Sequence, residues 1–565
     1  MDFTQIETYL EDLWLYNLIS HEQFVEDPNM DDFLFDYKGS LVEQVIIQEM
    51  TYYILSLGGR ANDATRVKEA IESNEDFVTS TDPLVKYFLI GIDLWQEYIY
   101  LNNDENERIF EIQKEVKTLY DQIFKLYSND KSKLKYLVPY YAIIGTLYRK
   151  YGFFKNATIL EQGFEFSITL DNPLYIVISY FNVRELFEDT YKIEKAIELG
   201  FRCIDILKAL NAPLYEAFVI FLVASLEYKT GNIPNSINLI EKAKNLYDSP
   251  GYRTNGSALN GQIICHNQLG RIYSMIGNMT EAFNNYTEAL LLYRTISGRK
   301  NPSLLSNLGE FYAYKGDYEN SISFQLEALE IRKQRDFSSS NQIPLAESYF
   351  ILLRLYIYFN NLNEAEKYLN DLAEITKHWH DKIIWTQYKL GTALLLKENK
   401  TMHDYVKAQE LLNEILNNPI ASIELTTTAM IVSIEISLVE YKYFHTKENL
   451  DHLQQKIEFL KKFSLENNSP LISIKAMILQ GKLEIVNSHL DKAEELFSES
   501  LQLAEKQNLH DLTQEIESEL KVLNDELIKT RELFYSNFNI RTKIEELELE
   551  KYLDEIQTIL RLFRK

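Results

Sequence analysis

Residues able to do covalent or metal chemistry are thinly spread along this 565-residue chain. The two cysteines, Cys203 and Cys265, are not at metal-ligand spacing. Each falls in a helical pattern, where a small apolar side chain packs well. Of the nine histidines only His378 and His380, in "KHWHDK", come close together. Two residues apart on a helix they point to different faces, so they cannot chelate one ion without distortion. A solvated helix end explains them better. The sequence contains no H-E-x-x-H, no G-x-x-x-x-G-K-[ST] phosphate loop and no G-x-G-x-x-G after a strand. Carboxylates number 84, so no single pair stands out as an acid and a base. What remains is recognition by a surface. No catalytic residue, metal ligand or cofactor is expected, and the chain is read as a non-enzyme.

Composition narrows the partner. With 58 Lys plus Arg against 84 Asp plus Glu, the net charge is −26. Such a surface repels phosphate backbones and anionic lipid, so neither nucleic acid binding nor membrane insertion is expected. The start, "MDFTQIETYLEDLW", is acidic and does not read as a signal peptide. The apolar stretch "YFLIGIDLW" at 87–95 is too short to cross a bilayer. Two cysteines rule out a disulfide framework. A cytoplasmic protein is expected. Only 19 Gly and 11 Pro occur, and no strand pattern is visible, so the fold class reads as all-α.

The elements that would carry such a surface show themselves as a repeat. In "NLGEFYAYKGDYENSISFQLEALEIRK" (307–333), with Pro302 as position 1, Gly309 is position 8, Tyr312 position 11, Gly316 position 15, Ser321 position 20 and Ala328 position 27. Small residues at 8 and 20 let two antiparallel helices cross closely. The aromatic at 11 fills the space between them, and glycine at 15 ends the first helix in a left-handed conformation. The small residue at 27 admits the next unit. The same offsets recur: Gly145, Ala224, Gly270, Gly391 and Gly481 at 8; Tyr148, Tyr273 and Tyr356 at 11; Gly152, Gly231, Gly277 and Asn360 at 15; Ala157, Ser236, Ala282, Ala365 and Ala493 at 20; Ala243, Ala289 and Ser500 at 27. A weaker unit from 177 keeps Phe187, Ala196 and Cys203 but carries Arg184 at position 8. One helix pair cannot bury its face alone, so the units must stack.

These positions resemble the tetratricopeptide repeat (TPR) over about 138–508. Unit starts at 217, 263 and 302 lie 46 and 39 residues apart, against about 34 in the usual repeat, which implies lengthened helices or linkers. With "EALEIRK" closing the second helix, the pattern resembles the kinesin-light-chain type of TPR and uncharacterised TPR-array proteins of archaea and bacteria. The resemblance implies a right-handed α-solenoid of about eight to nine helix pairs, with the first helix of each pair lining a concave groove. It further implies that positions 2, 5, 9 and 12 face a ligand. These include Asn267, Arg271, Ser306, Glu310, Phe350, Arg354, Trp385 and Tyr388, with Asn307 beside them at position 6. Asparagine amides there would clamp a peptide backbone. Arg271 and Arg354 would meet carboxylates, and Phe350, Trp385 and Tyr388 would offer apolar pockets.

The flanks lack the template. Residues 1–137 show helical patterns at 3–18, 41–57, 83–102 and about 105–127, and are read as an N-terminal cap or diverged repeats, since a terminal repeat otherwise exposes its stacking face. Residues 421–470 are degenerate and are expected to form one irregular helix pair buried by neighbours on both sides. From 509 the pattern changes to Leu520, Leu523 and Leu527, then Leu549, Leu553, Ile556, Leu560 and Phe563, with "FYSNFN" (534–539) between. A capping helix folded onto the last repeat is favoured over a coil that would make a homodimer. The leading function is a protein-interaction scaffold binding a peptide or protein partner in the groove. The alternative is a peptide-responsive sensor whose superhelix changes pitch, similar to bacterial TPR regulators but without their DNA-binding helix-turn-helix.

Overall fold

The computed structural model describes the chain apart from residues 1, 21–36, 58–60, 101–105, 140, 142–157, 190–191, 253–254, 297–300, 335–338, 379–381, 418–422, 445, 467–468, 488, 508 and 536–565. Among the described residues every regular element is a helix. Contacts divide the chain into two compact units. The first comprises Met1–Leu269, Tyr286–Leu305 and Glu327–Leu345; the second comprises Gly270–Asn285, Ser306–Leu326 and Ala346–Lys565.

The chain begins with α1 (Phe3–Ser20), α2 (Leu41–Leu57), α3 (Ala61–Glu72), α4 (Glu75–Val78), α5 (Pro83–Tyr100), α6 (Asn106–Leu126) and α7 (Lys131–Leu134), followed by a 3-10 turn and α8 (Thr158–Ile168). The longer of these coincide with the sequence patterns to within two residues. Helix α2 is the hub, packing on α1, α3 and α5. Trp14 of α1 sets its ring 5.7 Å from Tyr53 of α2 and 6.5 Å from Tyr175 of the next helix pair. Lys135 binds Glu7 and Glu11 of α1, each at 2.9 Å. The N-terminal helices of this unit are thereby tied to its first repeat.

Helix pairs follow: α9 (Pro173–Asp189) with α10 (Ile193–Ala209), α11 (Pro213–Thr230) with α12 (Ile233–Tyr247), α13 (Gly256–Ile276) with α14 (Met279–Ile296), α15 (Pro302–Tyr314) with α16 (Tyr318–Lys333) and α17 (Ser339–Tyr358) with α18 (Leu362–His378). The series continues with α19 (Lys382–Glu398) and α20 (Met402–Asn417), α21 (Ile423–Phe444) and α22 (Lys447–Glu466), then α23 (Pro470–Val486) and α24 (Leu490–Lys506), before α25 (His510–Tyr535). In the second unit successive helices from α18 to α25 touch, and first helix also meets first helix in α19–α21 and α21–α23.

The repeat offsets do the work their chemistry suggests. Position 20 (Ser236, Ala282, Ser321, Ala365, Ala493) and position 27 (Cys203, Ala243, Ala289, Ala328, Ser500) have no exposed surface at all. The Ser236 hydroxyl donates to the Ala224 carbonyl at 2.7 Å, joining positions 20 and 8 across the crossing. A Cβ on Gly481 would lie 2.7 Å from the Phe497 ring, and one on Gly309 would lie 2.8 Å from Gln325. Position 11 stacks on an aromatic of the partner helix: Tyr312 on Phe324 at 5.4 Å and Tyr356 on Tyr368 at 5.6 Å. Position 15 takes positive φ in Gly231, Gly277, Gly316 and Asn360 (92°, 88°, 73° and 55°), the left-handed turn that ends each first helix. Arg184, the outsized residue at position 8 of the weak unit, is accommodated by an ion pair to Glu188 at 3.1 Å and by stacking on Phe181. Gly145, Tyr148, Gly152 and Ala157 lie outside the described residues.

The degenerate stretch forms one pair, α21 and α22, but both helices are continuous rather than irregular. Ile434, Leu438, Leu453, Ile457 and Leu460 make its core with Ile472, Leu479 and Leu483 of α23. Helix α25 packs on α24 and buries Leu512, Ile516 and Leu523. Lys475 holds Glu515 at 2.7 Å and Lys482 holds Glu519 at 3.0 Å. The described part of the tail is therefore a helix laid on the last repeat. Its residues Leu549, Leu553, Ile556, Leu560 and Phe563 lie outside the described residues, as does most of "FYSNFN".

Candidate functional site

Within the second unit, first helices that are distant in sequence bring their charged residues together. Arg271 sits near the C-terminal end of α13, one turn beyond Asn267, and its guanidinium grips Glu424 at the start of α21. Its Nε donates to one carboxylate oxygen at 3.2 Å and its Nη2 to the other at 2.6 Å. This fork-to-fork geometry fixes orientation as well as distance. The same Nη2 lies 3.5 Å from Glu347 of α17. On α17, two turns along, Arg354 rests over the Phe350 ring and reaches Glu310 of α15 at 4.0 Å. Five charges from four first helices, three acidic and two basic, gather here as an Arg271–Glu347–Glu424 set and an Arg354–Glu310 pair whose fields reach each other, a network of charge rather than of continuous contact.

Glu310 is its least compensated member. Burial pushes its carboxyl up to about 7, and Glu424 and Glu347 add to the effect against the opposing pull of Arg271 and Arg354. Burial, with Glu310 next, raises the nearby Tyr314 phenol. Further along the unit the first helices again pair charges, Lys397 of α19 with Glu435 of α21 at 2.5 Å. Burial would raise the Glu515 carboxyl of α25, but Lys475 and Lys482 outweigh it and hold the group below its ordinary range. The turn after α13 packs close by its own backbone: a Cβ on Gly277 would lie 3.3 Å from the backbone nitrogen of Leu471, in the first turn of α23.

The structure sorts the nine residues marked in the sequence. Arg271, Glu310 and Arg354 belong to the network. Asn307 is half-buried on α15, and both it and Asn267 are engaged in interactions. Asn267 belongs to the first unit. Trp385, 36% exposed, meets Tyr388 edge to face at 6.0 Å; among the described contacts none joins this pair to the network. Two expectations are corrected. Ser306 is buried and spends its hydroxyl on Gln325 Oε1 at 2.9 Å, while Gln325 returns a bond to the Ser306 carbonyl. It holds α15 to α16. Phe350 is also buried, a floor under Arg354 rather than an open pocket. The arginines, expected to await a partner's carboxylates, already meet the protein's own.

Two network residues escaped the sequence reading. Glu347 stands at position 2 of the unit from 346, so the inward-facing offsets contained the signal. Glu424 lies in the degenerate stretch, where no template gave it an address. Among the described residues no group of histidine, cysteine, aspartate and glutamate side chains could hold a metal ion. No described helix is long and apolar enough to cross a membrane.

Two family models, each described as Tetratricopeptide repeat, match residues 265–303 and 301–378. No curated protein matches the chain. Among solved structures it is similar to a tetratricopeptide repeat protein from Parabacteroides merdae, at 16% identity over 53% of this chain and 98% of that one, with a TM-score of 0.29. It is similar to a Rap protein complexed with competence and sporulation factor, at 14% identity over 86% and 99% of the two chains, TM-score 0.34. Human IFIT1, as a dimer with PPP-AAAA, aligns at 15% identity over 88% and 99%, TM-score 0.39. The residues matched by the family models carry Arg271, Glu310, Glu347 and Arg354. Repeats of this kind generally support protein interaction rather than catalysis.

Proposed function

We propose that this chain, a tetratricopeptide repeat protein, is a non-enzymatic scaffold that holds an extended peptide or protein segment along the first helices of its second unit. One observation supports the reading: charged side chains of the first helices α13, α15, α17 and α21 gather in one region of the second unit. Asn307 supplies an amide for the ligand backbone, and Trp385 with Tyr388 an apolar contact further along. A bound segment competes for groups that are already paired, so binding exchanges ion pairs rather than filling vacant charges. Much of the affinity then comes from backbone and apolar contacts, because exchanged pairs return little net energy. The net charge of −26 favours a protein partner over nucleic acid.

The test is peptide selection on the purified chain, by display of random sequences, followed by anisotropy titration of the enriched peptide. The doubly substituted Arg271→Ala/Asn307→Ala chain is expected to lose at least tenfold in affinity while keeping its helical circular dichroism. Equal affinity of the two chains would move recognition away from α13 and α15. A sensor is the second reading, favoured because Arg271 ties α13 to α21: a ligand that takes Arg271 releases that tie. Scattering with and without the selected peptide separates the two, since only a sensor changes its radius of gyration.

A further inference from the structure

Away from that network, the contact of α20, α21 and α22 encloses an amine in an unusual setting. Lys456 of α22 places Nζ 2.9 Å from Ser433 Oγ and 3.0 Å from Ser437 Oγ, two hydroxyls one helical turn apart on α21. Gln409 of α20 donates to the same Ser433 oxygen at 2.8 Å, and its own Oε1 is buried without a hydrogen-bond partner. Among the described residues no carboxylate stands within ion-pair distance of Lys456, in a chain with 84 acidic residues. Ser433 is fully buried, whereas Ser437 and Lys456 are half-buried, so the site is not sealed from solvent.

This setting suits the neutral amine better than the ammonium. An ammonium has three donors and no acceptor, and serine oxygens are weak counter-groups for a desolvated charge. A neutral amine offers a lone pair that the Ser437 hydroxyl can donate to. Burial lowers the amine below the ordinary lysine range against the opposing field of Glu440, the charged group that reaches it, whose own carboxyl burial raises. Desolvated lysines without a carboxylate partner are the ones that act as nucleophiles at neutral pH.

We infer that Lys456 is a covalent modification site, an amine that takes the acyl group of a thioester. The nitrogen lone pair attacks the thioester carbonyl carbon, the carbon–sulfur bond breaks, and the sulfur leaves as a thiolate. The nitrogen loses its proton through water to that thiolate, giving an amide and a free thiol with no change of oxidation state. The product carries no charge, so no ammonium remains to be desolvated between the helices.

The experiment treats the full chain with the N-acetylcysteamine thioester of acetic acid from pH 6 to 10 and follows each lysine by mass spectrometry. Lys462, which is 75% exposed, is the reference. Lys456 is expected to be acetylated at least fivefold faster than Lys462 at pH 7.5, with its rate midpoint at lower pH. Glu440→Gln, which removes that carboxylate's opposing field, is expected to move the Lys456 midpoint lower still and leave Lys462 unchanged. A Lys456 rate no greater than that of Lys462, or a midpoint equal to or above it, overturns the assignment. So does a Lys456 midpoint that ignores Glu440→Gln in a chain with unchanged circular dichroism.

Discussion

At the scale of single residues, Glu310 shows how a buried charge stores a pH dependence. Its carboxyl rises to about 7 chiefly by burial, with two other glutamates adding to the effect. The folded chain therefore holds that proton more tightly than the unfolded chain, whose carboxyl titrates near 4.5. Stability from this group is fully present below the unfolded value and is lost as pH rises through about 7. Glu310→Gln keeps the shape and removes the charge. Its stability relative to wild type is expected to grow by about 1–3 kcal/mol between pH 5 and pH 8, as read by urea denaturation at both values. A constant difference would mean that Arg354 compensates Glu310 fully. The Arg271–Glu424 pair belongs to the same scale. Each side chain is about a quarter exposed, so a double-mutant cycle to Ala is expected to give a coupling of about 1 kcal/mol that shrinks in 0.5 M salt. The sequence showed Arg271, Glu310 and Arg354 as inward-facing candidates. That their partners would be Glu347 and Glu424 was not visible, because pairing depends on which helix ends meet.

At the scale of elements, the repeat offsets are packing instructions, and each can be tested alone. Gly481 faces the Phe497 ring so closely that a methyl group must displace it. Gly481→Ala is expected to cost about 1–3 kcal/mol by overpacking, with part recovered when Phe497→Leu is added; thermal melts of the three chains give the numbers. Gly316 poses a different demand, since its φ of 73° strains any side chain with a Cβ. Gly316→Ala is expected to cost about 1 kcal/mol, whereas Asn360→Gly, at the equivalent turn, should be close to neutral. Both offsets could be read without a structure because a crossing and a turn are local requirements. Ser306 and Phe350, expected to face a ligand, are buried. The inward-facing offsets say nothing of a partner side chain long enough to reach them, and Gln325 of α16 takes the Ser306 hydroxyl, while Phe350 is covered on α17 and lies under Arg354.

For the whole molecule, the stack needs its ends covered. Helix α25 covers α24 with Leu512, Ile516 and Leu523 and is pinned by lysines of α23. The doubly substituted Leu512→Glu/Ile516→Glu chain is expected to lower the melting midpoint by several degrees and to associate at concentrations where wild type does not, because it opens the apolar stacking face. Unchanged melting would make α25 an appendage rather than a cap. The sequence by itself determined that the regular elements are helices, that the units are antiparallel pairs with close crossings at positions 8, 20 and 27, and that the first helices closed by Gly231, Gly277, Gly316 and Asn360 end in a left-handed turn. Those features follow from neighbours within about 40 residues, and residue size and backbone freedom suffice to encode them. Only the tertiary structure decided that Arg271 meets a glutamate 153 positions away, that Arg271 and Arg354 are already paired, and that an amine on α22 sits between two hydroxyls. These depend on how helix offsets accumulate over several stacked pairs, where small differences in length and rotation add up and no short pattern in the sequence specifies the sum.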